Sequence, residues 1–296
     1  MLTLLLLLAV PVLAAAALFW WQRRQHVAVQ SRVGMARQDC EQLLELVKLL
    51  QQHRGMSSAR LGGDTSFEAP LRERRRDIDA ALGSLARTVK AEADMPRPCI
   101  THNELVLFRH RWNELIEKLP TQSIEQSIAL HTQLIGRALD WLAALGEARI
   151  ELPSQDRLPA PLVRNYTNHL PALAECLGQI RAIGAAAAAQ RHCSPVARVR
   201  LMFLVTRATT LIGQAGGGSV ESVTVLARQA VDSLLGTVRR DILTGSEVRI
   251  GAESYFATAT SAIDAVYAWA RHCGHQIGEM LDQHSRLASN ETVQPG

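Results

Sequence analysis

Two arginines stand where helical periodicity asks for apolar side chains. Arg54 lies in "LLQQHRGMSSARL", where its neighbours at three, four and seven residues are Val47, Leu50, Gln51, Ser57, Ser58 and Leu61. Arg181 lies in "LGQIRAIGA", flanked in the same way by Ala174, Leu177, Gly178, Gly184, Ala185 and Ala188. With Arg54 placed over Arg181, leucine, glutamine, arginine, a tiny residue, an apolar residue and two small residues recur in order. A guanidinium on such a face needs something negative beside it, because an unpaired buried charge is strongly unfavourable. Two arginines on two helices can close on one small planar oxyanion. Guanidinium grips such an anion through two parallel donors, where lysine supplies only a point charge. Equally, each arginine can pair with a carboxylate of the chain, or run its stem along the bundle and bring its charge to the surface. Spacing leaves these alternatives open.

Other chemistry is poorly represented. HExxH, Gly-x-Ser-x-Gly and P-loop patterns are absent, and "AGGGS" lacks the lysine of a phosphate loop. His192 and Cys193 are adjacent, so they cannot face each other as base and nucleophile. His272 and His275 can share a helix face, but two ligands make a poor metal site, and they read as surface histidines. The five cysteines (Cys40, Cys99, Cys176, Cys193 and Cys273) are odd in number and lack CxxC spacing. That argues against a disulfide framework or structural zinc and for thiols in a reducing compartment. A net charge of +4, with no basic block interleaved with aromatics, does not suggest nucleic acid. The expectation is a non-enzyme without metal or cofactor.

The elements that must position the arginines read as helices. Alanine and leucine dominate and aromatics are only 4%, so the core is aliphatic and helical. The first body helix runs to about Leu61, where "GGD" stops it and Thr65 or Ser66 caps the next. That helix continues to about Lys90 and ends at "DMPRPC". Thr101 and Glu104 form a capping box for a third helix, with Leu105, Phe108, Trp112 and Leu115 on its apolar face. A fourth starts at Thr121 or Ser123. A fifth, from about Leu162 to Arg191, contains Pro171 as a kink. The sixth, seventh and eighth run over about 196–214, 220–242 and 252–281. Phe256, Thr260, Ile263 and Tyr267 have the spacing of a core stripe on the last helix. No strand is expected. The fold class is all-α, about eight helices packed as bundles.

Residues 2–21, "LTLLLLLAVPVLAAAALFWW", are uncharged and long enough to cross a bilayer as one helix. Trp20 and Trp21 close the run, and Arg23, Arg24, Arg32 and Arg37 all follow it, which places the body in the cytoplasm. The alternative is a signal peptide with a periplasmic or secreted body, although a positive n-region is missing. The expected domains are an anchor over 1–24 in the inner membrane, a helical body over 25–285, and a disordered tail over 286–296.

Three segments resemble the nitrate- and nitrite-sensing (NIT) domain of bacterial signalling proteins. "LLQQHRGMSS" is similar to the family's Q-x-x-R-G-apolar-Ser segment, and "LGQIRAIGA" to its G-Q-E-R-A-apolar-small segment. "SYFATATSAID" is similar to its aromatic-Phe-x-x-x-Thr-x-x-Ile-Asp segment. The resemblance covers about residues 30–280. It implies two up-down helical bundles sharing long helices, with nitrate or nitrite held between them by arginines from different helices. Carried over by position, those are Arg54 and Arg181, with Arg249 or Arg240 as candidates for a later arginine and Arg249 nearer the third segment. The chain departs at Ile180, where the family usually has glutamate. Together with the apolar run over 2–21, the resemblance implies a membrane-anchored sensor that signals through helix rearrangement. Such a sensor could act through a separate output protein or as a homodimer, while the lack of a recognisable output region after the domain favours the alternative reading. The alternative is a structural or scaffolding membrane protein with the same fold and no ligand.

Overall fold

A computed structural model describes residues 2–216, 221–245 and 247–290. Side chains are described within these ranges from 28 to 283, and before that for Leu18, Trp20 and Arg24. The described residues form nine α-helices and no strand. Helix α1 spans Leu2–Leu61 and α2 Glu68–Ala93; α3 is His102–Lys118, α4 Ile124–Leu145 and α5 Ala160–Arg164. Helix α6 covers Leu170–Ala189, α7 Pro195–Gln214, α8 Ser222–Thr237 and α9 Ala252–Asn290. The helix α9 backbone therefore runs through part of the stretch expected to be tail, and 291–296 lie outside the described residues. The proposed membrane span also rests on side chains outside them, although its backbone is helical. Among the described residues, no helix is long and apolar enough to cross a membrane.

Local sequence chemistry sets the boundaries. Helix α1 stops as Asp64 N–H donates to Ala59 O and Gly63 N–H to Arg60 O, with Gly63 at φ 104°. Asp64, rather than Thr65 or Ser66, then caps the following turn. The Thr101–Glu104 capping box forms as expected, and Ser123 makes a second one with Gln126. The expected fifth helix is divided. A π-helical turn over Asn165–His169 separates α5 from α6, immediately before Pro171. Proline has no N–H to return to the preceding turn, so the ladder is re-registered there. A π turn over Gly146–Glu151 likewise precedes Pro153.

Helices α2, α3 and α4 group with the second half of α1, while α7 and α9 pack on α6 and α8 packs on α9. Helix α1 also touches α6 and α9, so it joins the two groups. Its buried stripe runs Val33, Ala36, Cys40, Leu43, Val47, Leu50, Arg54, Ser57 in alternating steps of three and four. Arg54 thus occupies a true core position.

The α6–α9 contact depends on a missing side chain. A Cβ at Gly184 would lie 2.1 Å from the Tyr255 hydroxyl, which donates to the Ile180 carbonyl at 2.8 Å. Gly83, by contrast, is exposed on α2 with nothing within 4 Å. Gly184→Ala is therefore expected to lose about 1–3 kcal/mol in urea unfolding by overpacking. Gly83→Ala is expected to gain up to about 1 kcal/mol from helix propensity.

Candidate anion site

The motif residues converge where α1, α6 and α9 meet. Arg54 is 2% exposed and Glu175 6%. The guanidinium donates to both oxygens of that carboxylate, from Nη1 at 2.6 Å and from Nη2 at 3.1 Å. Gln51 donates to Glu175 Oε2 at 2.9 Å, and Gln179 to Oε1 at 2.9 Å. The Tyr267 hydroxyl donates to the Gln51 side-chain oxygen at 2.9 Å, which ties α9 into the cluster. From α4, Thr132 accepts from Arg54 Nη1 at 3.0 Å. Glutamine and arginine of the first segment and glutamine of the second thus all hold one carboxylate. Glu175 itself escapes a reading by motif. The signal available was composition, since it is the one charged residue in "LPALAECLGQI".

Arg181 has different surroundings. Its Nη1 donates to the Thr260 hydroxyl at 3.0 Å, and its guanidinium carbon lies 4.9 Å from the centre of the Phe256 ring. Among the described residues, no carboxylate lies within ion-pair distance of it. Burial lowers its pKa, and the nearby positive charge of Arg54 lowers it further, against weaker opposing pulls from Asp264, Tyr267 and Glu175. The two arginines cross between helices. A Cβ at Gly178 on α6 would come within 2.8 Å of Arg54 Nη2, and one at Gly55 on α1 within 3.8 Å of Arg181 Nη2. Of these two glycines, only Gly178 is where an added Cβ would crowd the other helix's guanidinium.

The third segment divides differently from its expected stripe. Ile263 and Tyr267 are buried, whereas Phe256 is 48% exposed and Thr260 half-buried, and both line Arg181. The core side of α9 instead carries Tyr255, Ala259, Ala262 and Val266. Ile180, where the resemblance led to an expectation of glutamate, is fully buried. A carboxylate on that face would enter the apolar core. Arg249 is exposed in the loop before α9, and its carbonyl accepts from Arg191 beyond the end of α6. Arg191 lies past the end of α6 at Ala189, which is itself eight residues and roughly 12 Å of helical rise beyond Arg181. Arg240 is also exposed, with its guanidinium against Gly236 of its own segment. The structure brings Arg54 and Arg181 together and leaves these two apart.

Beside Arg54, a buried histidine pair joins α1 to α4. His131 Nδ1 lies 2.7 Å from the Ser127 carbonyl, which assigns it a proton and leaves Nε2 to accept. His53 Nδ1 then donates to that Nε2 across 2.8 Å. Burial lowers the His53 pKa to about 3, helped by His131, Arg75 and Arg74, and that of His131 to about 4, helped by Arg54. His272, half-exposed on α9, meets Glu221 rather than a metal cluster. Among the described residues, no group of three or more metal-ligating side chains forms.

The family described as nitrate and nitrite sensing matches residues 45–278, a span that holds all three segments. The chain belongs to the nitrate and nitrite sensing family. A structure of the NasR transcription antiterminator has a similar fold, with TM-score 0.72 at 18% sequence identity. The likeness covers 93% of this chain and 76% of that one. No curated protein matches the sequence.

Two outcomes follow from this NIT chain's buried polar groups. Arg54→Ala and Glu175→Ala should each cost about 3–5 kcal/mol in denaturant unfolding, because each leaves a buried charge alone. The double variant should cost less than their sum. The histidine pair makes stability acid-sensitive. The unfolded chain takes up protons near pH 6.5 that the folded pair accepts only near pH 3–4. Stability is thus full above about pH 6.5 and falls below it, by about 1.4 kcal/mol per pH unit for each histidine. Urea unfolding at pH 7 and pH 5 measures the loss.

Proposed function

We propose that this chain senses nitrate or nitrite by binding the anion between Arg54 and Arg181, at the junction of α1, α6 and α9. The observation that carries this reading is a charge imbalance. Of two neighbouring arginines, Arg54 bonds the Glu175 carboxylate and Arg181 bonds none among the described residues. A mostly buried guanidinium with a hydroxyl but no carboxylate bonded to it is suited to a monovalent oxyanion. The planar fork of Arg181 and the Thr260 hydroxyl provide donors.

In this reading the anion draws α1, α6 and α9 together, and the change travels along the unbroken α1 helix toward the N-terminal anchor. The body lies on the cytoplasmic side of the inner membrane and acts on a separate output protein or a second copy of the chain. Ligand binding drives such a change only through different affinities for the two arrangements. A second reading, a helical membrane scaffold that no longer binds a ligand, draws support from one feature. Glu175 already satisfies Arg54.

Calorimetry of the full chain with nitrate, nitrite and chloride separates the two. The sensor reading predicts heat with nitrate or nitrite and little with chloride. Arg181→Ala should weaken binding about 10- to 100-fold, since a charge-assisted hydrogen bond contributes about 1.5–3 kcal/mol. Absence of binding to either anion, or unchanged binding by Arg181→Ala, favours the scaffold.

A further inference from the structure

The far side of Glu175 is open. A cleft of about 380 Å³ runs between α4, α6 and α7, lined by Thr132, Gly136, Glu175, Gln179, Arg200 and Arg207. Thr132 and Glu175 both bond Arg54, so the floor of this cleft is the outer wall of the arginine site. Arg200 and Arg207 are exposed and stand seven residues apart on one face of α7. Neither has a carboxylate within ion-pair distance among the described residues. The Cys176 thiol, next in sequence to Glu175, donates to the Leu204 carbonyl at 3.2 Å, which holds α6 against α7 at this level.

A carboxylate and a nitrate present the same feature to guanidinium, two oxygens on one planar centre. The edge of Arg54 that grips Glu175 cannot hold both at once. Glutamate has rotatable bonds enough to leave while its backbone stays in the helix, and the cleft beside it contains room and two guanidinium groups. Resting on the anion site proposed above, we propose that Glu175 is a movable carboxylate that competes with the anion for Arg54. When nitrate or nitrite binds, Glu175 turns into the cleft toward Arg200 and Arg207. The carboxylate then acts as a built-in competitor that sets the anion concentration sensed. Its transfer from α1 to α7 gives the two states different helix contacts.

The test compares nitrate titrations of the full chain at constant ionic strength, with chloride as the balancing anion. Glu175→Gln removes the competitor's charge, and Gln179→Leu removes one bond that holds it in place. Both should bind nitrate more tightly than the parent chain, the second by about three- to tenfold. The double variant Arg200→Gln/Arg207→Gln should bind more weakly, because the displaced carboxylate loses its destination. Glu175→Gln variants that fold only when nitrate is present, and not with chloride, express the same competition as stability. If the parent binds nitrate and Gln179→Leu binds it no more tightly, the competitor is overturned while the anion site stands. An unchanged Arg200→Gln/Arg207→Gln variant overturns the transfer to α7. Absence of binding by the parent and every variant overturns the anion site and this inference together.

Discussion

A guanidinium placed in the core stripe of the first helix requires a carboxylate at the same depth on another element. Arg54 and Glu175 meet that requirement across the α1–α6 contact, and much of the surrounding polar structure exists to complete it. The carboxylate accepts from Gln51 and Gln179 as well as from Arg54. Gln51 is in turn fixed by Tyr267. Three helices far apart in the sequence, α1, α6 and α9, are therefore registered by one buried ion pair and its glutamine. Such a pair is weak evidence for net stability, because desolvation offsets most of the attraction. Its stronger effect is on specificity. Sliding α1 by one turn against α6 would leave both charges buried and alone.

The same junction is short of negative charge. Arg181 comes close enough to Arg54 to feel its field and has a hydroxyl and an aromatic face as partners. Its neighbour has a carboxylate; it has none within bonding reach among the described residues. Small residues make the arrangement possible. Gly178 leaves space for the Arg54 fork, and Gly184 lets Tyr255 lie against α6. A family whose description is nitrate and nitrite sensing is consistent with a junction built in this way.

Much of the architecture was legible along the chain because helix signals are local. The Thr101–Glu104 box, the "GGD" stop and the "DMPRPC" break need only neighbouring residues, and most helices formed near the expected limits, the divided fifth and the longer last one apart. Arg54 and Arg181 were legible as charges that break a periodic apolar face. Their partners were not, because Glu175 meets Arg54 across 121 residues of chain and nothing local encodes that contact. On α9, Ile263 and Tyr267 are buried as expected, and only the first half of the stripe turned, to Tyr255 and Ala259. Phe256 and Tyr255 are adjacent and both aromatic, so spacing alone could not decide which faces the core and which faces Arg181. The π turns were invisible for a related reason. Pro171 announces a lost hydrogen bond but not how the preceding turn re-registers.

If an oxyanion is held between the two arginines on facing helices, a crystal structure of the full chain grown with nitrate will contain a planar anion bonded to the guanidinium groups of both Arg54 and Arg181. An anion bound elsewhere, or Arg181 still bonded only to Thr260 with Glu175 unmoved and no anion beside it, would contradict it.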